Sequence, residues 1–277
     1  MLLLAFETSA KAASAALFED GKLLGESYQN TGMTHSQTLM VMAEDLLKTA
    51  GKTVREVTAV AVAEGPGSFT GVRIGVAAAK GFAWGSNIPC CGVSTLEAMA
   101  LGLGIWEGYV CPVMDARRNQ VYNALFYANQ GVLERVSPDR AISLEELGKE
   151  LNELGKRVFL VGDGSLLCHR TLSDAVPGLI LPPEHKLHQR AVGVGLAALK
   201  KLAAGEICDG AALTPNYLRL SQAERELARL SRFTDSFASL QERVTDLMYQ
   251  VQDVAEEVRA ARDDLSYSAD ELEQIES

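Results

Sequence analysis

The sequence predicts an α/β protein with two lobes and a C-terminal coiled-coil helical tail. Strand-like and helix-like segments alternate over the first 203 residues, and the length of 277 residues exceeds what one small core needs. A heptad repeat then fills the last part of the chain. We expect an N-terminal lobe at residues 1–105, a C-terminal lobe at 106–230 and the tail at 231–277.

The N-terminal lobe is predicted to hold five strands and three helices. The turn sequence Glu19-Asp20-Gly21 separates two apolar runs and predicts a hairpin. Apolar residues recur at helical spacing in the segment that begins at His35. The predicted strands are Leu2–Phe6, Ala13–Phe18, Lys22–Tyr28, Val57–Ala63 and Ile88–Val93, and the predicted helices are His35–Ala50, Val72–Trp84 and Thr95–Leu103.

The C-terminal lobe follows the same logic with shorter elements. Its last long helix is expected at Ala191–Ala203. The other predicted elements are strands at Tyr109–Asp115, Val121–Tyr127, Leu133–Val136 and Val158–Val161 and a helix at Leu144–Leu154. Asp115, Arg117 and Arg118 at the end of one strand predict either a charged site or a salt-bridged turn.

Charge is unevenly distributed along the chain. The net charge is −10, and residues 231–277 contribute −8 of it through twelve acidic side chains and four arginines. The body at 1–230 is nearly neutral and has no basic run, so we expect any nucleic-acid contact to be indirect. The sequence has no signal-peptide pattern and no membrane-length apolar run. Five cysteines without metal-binding spacing are typical of buried or free thiols in the cytoplasm.

The segment GPGSFTGVRIG at residues 65–75 is the most informative part of the chain. A glycine turn between a strand and a helix start places backbone N–H groups where an anion or a partner backbone can approach closely. A P-loop is excluded because no Gly-Lys-Ser/Thr triplet follows. The dinucleotide-binding pattern Gly-x-Gly-x-x-Gly is not met either, because Thr70 replaces its third glycine. A tight turn that packs a helix on a sheet explains the segment equally well.

This segment resembles the signature of the TsaB (YeaZ-type) family, subunits of the bacterial machinery that makes N6-threonylcarbamoyladenosine in tRNA. The resemblance covers about residues 1–229 and implies an actin-like ATPase (ASKHA) fold. Further segments that match the family in the same order are Leu2–Ser9, Thr34–Ser36, Gly92–Ala98, Met114–Arg118 and Pro215–Arg219.

The resemblance implies a non-catalytic scaffold or activator subunit. Such subunits pair with the catalytic paralogue TsaD and recruit the ATPase TsaE. Together they transfer threonylcarbamoyl, from an adenylate made by TsaC, to adenosine 37 of tRNAs that read codons beginning with A. We expect no membrane partner, indirect contact with tRNA and a homodimer when the chain is alone. No cofactor is expected on the chain itself, and ATP or ADP at an interface with TsaD and TsaE is the alternative.

The resemblance also places candidate site residues. Glu7 occupies the position of the acidic residue that positions a metal-bound nucleotide in actin-like enzymes, although a solvated turn at Glu7–Ser9 is the favoured interpretation. The cofactor-binding candidates are Glu7, Thr8, Ser9, Gly65, Gly67, Ser68, Thr70, Gly71 and Arg73.

No catalytic or metal site is predicted. Catalytic relatives carry a His-x-x-x-His metal motif, but in this chain His35 is followed four residues later by Leu39. His35, Met40 and Met42 are candidates for a partner interface, because methionine-rich surfaces adapt to partners. Packing of these methionines in the protein core explains the pattern equally well.

Two other classes of function stay open. One is an independent enzyme of the actin-like fold, either an M22-type metallopeptidase or a small-molecule kinase. Leu39 argues against the peptidase, and the lack of a clear second phosphate loop argues against the kinase. The other is an interaction protein whose role is set by its coiled coil.

The tail has its own pattern. Ten apolar residues from Phe233 to Leu265 are spaced alternately four and three apart, which predicts a coiled coil. A capping box at Ser268–Glu271 predicts the start of a second helix. Residues 252–259 and 267–276 resemble the coiled-coil arm of the DNA-repair ATPase RecN, whose head motifs are absent. A natural fusion, an engineered chimera and an assembly artefact would each explain this tail.

Overall fold

The computed structural model describes residues 1–206 and 209–219 and, further along, positions 230, 239–244, 246–247, 250 and 259. The chain separates into two compact units, Met1–Arg219 and Leu220–Ser277. The described positions of the second unit that belong to the predicted coiled coil are helical. The rest of that coiled coil, the capping box and nearly all of the RecN-like segments lie outside the described residues. The predicted lobe and tail boundaries stay predictions.

A five-stranded sheet forms from the first part of the chain. Its elements are β1 (Leu2–Glu7), β2 (Ala13–Glu19), β3 (Lys22–Gln29), β4 (Ala59–Gly65), β5 (Cys90–Ser94), α1 (His35–Thr49), α2 (Phe69–Ser86) and α3 (Thr95–Leu103), with a short 3-10 helix at Val54–Glu56. The strand order is β3-β2-β1-β4-β5, with β2 antiparallel to β1 and β3, and with β4 and β5 parallel to β1. The predicted hairpin turn is confirmed, because Asp20 and Gly21 both have positive φ, at 48° and 83°.

A second sheet repeats this arrangement. Its elements are β6 (Gly108–Asp115), β7 (Gln120–Asn123), β8 (Phe126–Asn129), β9 (Val132–Arg135), β10 (Arg140–Ser143), β11 (Val158–Val161), β12 (Leu179–Ile180), α4 (Leu144–Leu154) and α5 (Ser165–Leu172), with a 3-10 helix at Glu184–Lys186. In the order β10-β7-β6-β11-β12, the central strand again has antiparallel neighbours on one side and parallel neighbours on the other. This duplicated topology confirms the actin-like ATPase fold.

The single strand predicted at Val121–Tyr127 is interrupted. β7 and β8 keep one register against β6, with Val113 opposite Asn123 and Val110 opposite Phe126. Pro112 lies opposite the interruption, and proline has no N–H to give to a ladder. The Asn123 side chain bridges the gap by donating to the Ala124 carbonyl oxygen at 2.9 Å.

The long helix near the end of the first unit, α6 (Ala191–Ala203), packs on the first sheet. The expectation that it is the last long helix of the second lobe is therefore wrong, because it packs on the first sheet. Glycines allow the close approach: a Cβ at Gly193 would lie 1.9 Å from the Ala98 carbonyl oxygen, and one at Gly195 would lie 2.1 Å from the Phe18 ring. α6 lies beside α3 on the face of the sheet opposite α1 and α2.

Among the described residues, none of the helices has both the length and the apolar character required to cross a bilayer. Cys90, Cys91, Cys111 and Cys168 are buried, as predicted, and Cys208 lies outside the described residues. Burial raises the pKa of the Cys168 thiol to about 12 and that of Cys111 further still. Both are therefore poor nucleophiles at neutral pH.

Candidate functional site

The glycine segment connects β4 to α2, as its sequence pattern predicts. Gly65 ends β4 with a φ of 127°, which strongly favours glycine. Ser68 caps α2 and accepts a hydrogen bond from the Gly71 N–H at 3.3 Å. Ser68 and Thr70 are exposed at the start of the helix.

The end of β1 fills the space that the other glycines leave open. A Cβ at Gly67 would lie 2.6 Å from the Ser9 carbonyl oxygen, and one at Gly71 would lie 2.2 Å from the Thr8 carbonyl oxygen. The Ser68 N–H donates to the Ser9 carbonyl oxygen at 2.7 Å, and the Thr8 hydroxyl donates to the Gly71 carbonyl oxygen at 2.8 Å. The partner backbone that approaches this loop is therefore the chain's own.

The last described segment of the first unit closes the other side of the loop. The Asn216 N–H donates to the Glu64 carbonyl oxygen at 2.6 Å, and a Cβ at Gly65 would lie 2.3 Å from the Asn216 carbonyl oxygen. Tyr217 stacks on Phe69 with ring centroids 4.9 Å apart. The exposed Arg73 donates to the Tyr217 hydroxyl at 2.7 Å, so it is held at the outer edge of the loop.

Glu7 is the most unusual group at this site. It is the last residue of β1 and is only 1% exposed, so the predicted solvated turn is wrong. One carboxyl oxygen accepts from the Ser9 N–H at 2.6 Å, while Oε2 has no hydrogen-bond partner among the described residues. Burial raises the pKa of Glu7 to about 7. The group therefore holds or releases a proton near neutral pH.

Asp163, which sequence reasoning missed, also faces this region. It follows β11, and its carboxylate accepts from the Gln189 side-chain amide at 2.8 Å. Burial raises the pKa of Asp163, and its charge raises the pKa of Glu7 in turn. Gly162-Asp163-Gly164 after a buried strand was the available signal: Gly162 has a φ of 109° and lies against the Val113 backbone.

The carboxyl ends of the two central strands thus meet at one place. Glu7 ends β1 and Asp115 ends β6, and Asp163 interacts electrostatically with both. Within the described part of the chain, no three His, Cys, Asp or Glu side chains are placed to hold a metal ion together. The chemistry that the arrangement offers is proton uptake by a buried carboxyl.

The residues proposed on α1 have different environments. His35 is half-buried, and its Nε2 lies 2.7 Å from the Ala10 carbonyl oxygen, which ties the helix start to the turn after β1. Leu39 is 1% exposed and Met42 is 4% exposed, so both belong to the core. The prediction that Met42 contacts a partner is therefore wrong. Met40 is 45% exposed.

Comparisons with known proteins agree with this geometry. The family model for TsaD, tRNA N6-adenosine threonylcarbamoyltransferase, matches residues 29–227. The tRNA threonylcarbamoyladenosine biosynthesis protein TsaB of Bacillus subtilis (strain 168) is 33% identical over 226 residues, which is 81% of this chain and 96% of the relative. A tRNA N6-adenosine threonylcarbamoyltransferase of Solidesulfovibrio magneticus is 28% identical over 174 residues, which is 57% of this chain and 44% of the relative.

A solved structure supports the same assignment. YeaZ from Pseudomonas aeruginosa superposes with a TM-score of 0.67 at 27% sequence identity, covering 78% of this chain and 99% of that one. The chain belongs to the TsaB (YeaZ-type) family of tRNA threonylcarbamoyladenosine biosynthesis proteins.

Proposed function

We propose that this chain is a non-catalytic partner subunit in the formation of N6-threonylcarbamoyladenosine at position 37 of tRNAs that read codons beginning with A. It pairs with a TsaD-type transferase and recruits TsaE in the cytoplasm, and TsaC supplies the adenylate. Membership of the TsaB family supports the pathway. The architecture of the glycine loop supports the non-catalytic role.

The filled loop is the single observation that carries this proposal. An actin-like ATPase needs open backbone N–H groups where its phosphate loop meets a nucleotide. Here the Ser9 carbonyl oxygen accepts from the Ser68 N–H, and the Thr8 hydroxyl donates to the Gly71 carbonyl oxygen, so the end of β1 occupies that side of the loop. Under this proposal the chain alone holds no nucleotide in this loop, and ATP or ADP binds at an interface with TsaD and TsaE.

The environment of His35 supports the same role. A metal motif on α1 would need a second imidazole at residue 39, but Leu39 lies in the core beneath the first sheet. The His35 ring is engaged with the Ala10 carbonyl oxygen. A structural contact accounts for the histidine, which favours a partner subunit over a metallopeptidase.

The exposed side of α1 and the turn before it form the proposed interface with TsaD. Met33 and Val41 are each 55% exposed and Met40 is 45% exposed, so α1 and the turn before it expose three large apolar side chains. Exposed apolar side chains of this size are typical of protein interfaces. The same surface is proposed to pair two copies when the chain is alone.

The test is a pull-down and in vitro modification assay with purified TsaD, TsaE and TsaC. The wild-type chain is expected to bind TsaD and to stimulate modification of tRNA, and a double variant with Met40→Glu and Val41→Glu is expected to lose both. Leu166→Glu on α5 is the control for an acidic side chain placed at another exposed apolar position, because Leu166 is 51% exposed. Failure of the wild-type chain to bind TsaD or to stimulate modification would refute the proposal.

The absence of catalysis is tested in the same assay. A Glu7→Gln variant is expected to stimulate modification as well as the wild type does, because the carboxyl contacts no substrate under the proposal. A complex that assembles normally but loses its activity with this variant would assign a chemical step to the chain.

A further inference from the structure

The fold brings arginines and aromatic rings, exposed or half-buried, from three distant segments onto one surface, here called the arginine–aromatic surface. It consists of Phe69, Arg73, Arg117, Arg118, Tyr217 and Arg219. The guanidinium of Arg73 lies 3.9 Å above the Phe69 ring centroid and donates to the Tyr217 hydroxyl. Tyr217 is 39% exposed. Two aromatic rings and one guanidinium therefore form a single stacked unit beside the glycine loop.

Arg219 links this stack to the pair Arg117 and Arg118. Its Nη1 donates to the Ala116 carbonyl oxygen at 2.7 Å, directly before Arg117 and Arg118 in the turn between β6 and β7. Both residues of this pair are exposed, and the side chain of Arg117 is 84% exposed. Because Tyr217 and Arg219 are two residues apart in the chain, the surface extends from the start of α2 to the β6–β7 turn.

The backbone of that turn is strained. Arg117, Arg118 and Asn119 have φ values of 64°, 56° and 56°, a conformation that L-residues rarely adopt three times in succession. The turn is held by the Asp115 carboxylate, which accepts from the Arg117 N–H at 2.7 Å, and by the Leu144 N–H, which donates to the Asn119 carbonyl oxygen at 3.0 Å. Strain of this kind tends to persist where it presents side chains for binding.

Among the described residues, a single ion pair offsets the positive charge of this surface. Within residues 1–206 and 209–219, only Arg117 of the four arginines forms an ion pair, with Asp115 at 3.3 Å. The positive end of the α2 dipole lies beside the same surface. The sequence has no basic run because the arginines come from residues 73, 117–118 and 219.

We infer that the arginine–aromatic surface binds a single-stranded segment of the tRNA substrate. Guanidinium groups pair with phosphates, and exposed aromatic rings and guanidinium planes stack on unpaired bases. This inference rests on the proposed function and departs from the expectation of indirect tRNA contact. It deepens the role of the subunit, because the chain then helps to hold the RNA as well as the transferase.

The test measures binding of an unmodified tRNA transcript to the complex of the full chain with TsaD, by fluorescence anisotropy over a series of salt concentrations. A double variant with Arg117→Gln and Arg118→Gln is compared with a control carrying Arg55→Gln and Arg157→Gln. Both control arginines are exposed and lie elsewhere on the body, so the two variants have the same net charge.

The Arg117/Arg118 variant is expected to weaken tRNA binding about tenfold near 0.1 M salt, and the slope of log K against log salt is expected to become about 1.4 less steep, as for two lost phosphate contacts on a single strand. The control variant is expected to keep the wild-type affinity and slope. Tyr217→Leu is expected to weaken binding about tenfold with an unchanged slope, because stacking involves no counterion release.

Two outcomes overturn the inference. In one, the complex assembles and stimulates modification, but the Arg117/Arg118 variant binds tRNA with the affinity and slope of the control. In the other, the variant loses binding to TsaD, which would make the surface a protein interface. If the wild-type chain itself fails to bind TsaD or to stimulate modification, the proposed function fails instead, and the two failures are thereby separated.

Discussion

Replacing Glu7 with Gln should remove a pH-dependent loss of stability. The carboxyl has a pKa of about 7 in the folded chain, against an ordinary value of 4.5. The folded state therefore binds this proton more tightly than the unfolded state does. The favourable contribution is complete below pH 4.5 and is lost as pH rises through 7.

The magnitude follows from the two pKa values. At pH 5 the folded carboxyl is protonated and the unfolded one largely ionised, whereas at pH 8 both are ionised. The wild type should therefore lose about 2 to 3 kcal/mol of unfolding free energy from this group between pH 5 and pH 8. Glu7→Gln keeps an acceptor for the Ser9 N–H but cannot ionise, so it should escape this loss.

The assay is urea unfolding followed by circular dichroism at pH 5 and pH 8, with the slope in urea checked for constancy. Glu44→Gln on the exposed side of α1 is the matched control, and its effect should be similar at both pH values. Between pH 5 and pH 8, the unfolding free energy of the variant should rise relative to that of the wild type by about 2 to 3 kcal/mol. An equal difference between variant and wild type at both pH values would show that Glu7 does not carry this proton.

Three further predictions concern the same region. Gly71→Val should destabilise the fold by about 3 kcal/mol or more, because its Cβ would lie 2.2 Å from a carbonyl oxygen. Gly81→Ala, in the open part of α2, should instead stabilise the fold by about 0.5–1 kcal/mol. Thermal unfolding of both variants measures this contrast, and equal effects would contradict the close approach at Gly71. Leu39→His should restore the His-x-x-x-His spacing but should not bind zinc, as measured by calorimetry. It should lower the free energy of unfolding by about 2 kcal/mol or more, because a polar ring replaces a core side chain. Tight zinc binding in a folded variant would show that α1 can expose residue 39. Asp163→Asn should lower the pKa of Glu7, since it removes a neighbouring negative charge. The fall of the unfolding free energy with rising pH should then end at a lower pH than in the wild type. An unchanged pH dependence would indicate that the two carboxyls do not interact.

Secondary structure was predictable where hydrophobic periodicity is strong. α1, α3, α4 and α6 and the first three strands end within a residue or so of their predicted bounds, because each has a clear apolar pattern. β10, with one buried residue in four, and α5, which mixes apolar with polar and basic residues, have no such pattern and were missed. β8 could not be separated from β7, because a single proline on the opposite strand causes the break.

The placement of α6 was not predictable from its own residues. Its sequence, AVGVGLAALKKLA, is small and apolar on most sides and would pack on either sheet. The fit of Gly193 against Ala98 and of Gly195 against Phe18 favours the first sheet. Such complementarity belongs to two segments far apart in the chain.

The candidate site was found in part. The glycine loop was located from its pattern, but the pattern could not tell an anion from a backbone as its occupant, because Thr8 and Ser9 lie some sixty residues earlier. Glu7 was misjudged because Glu-Thr-Ser is a polar sequence typical of turns. Its burial follows from its position at the end of the central strand, where both sheets converge.

The return of α6 to the first sheet has a consequence for how the chain is made. On the ribosome, the part of the first sheet that α6 covers, which carries Leu3, Ala5 and Phe18, stays exposed beside α3 until the whole second sheet has been synthesised and residue 203 has emerged. A fragment of residues 1–105 would expose that face permanently and should aggregate. The N-terminal lobe is therefore the first part of the chain to be translated but among the last to finish folding. This delay lengthens the period in which chaperones can act on it.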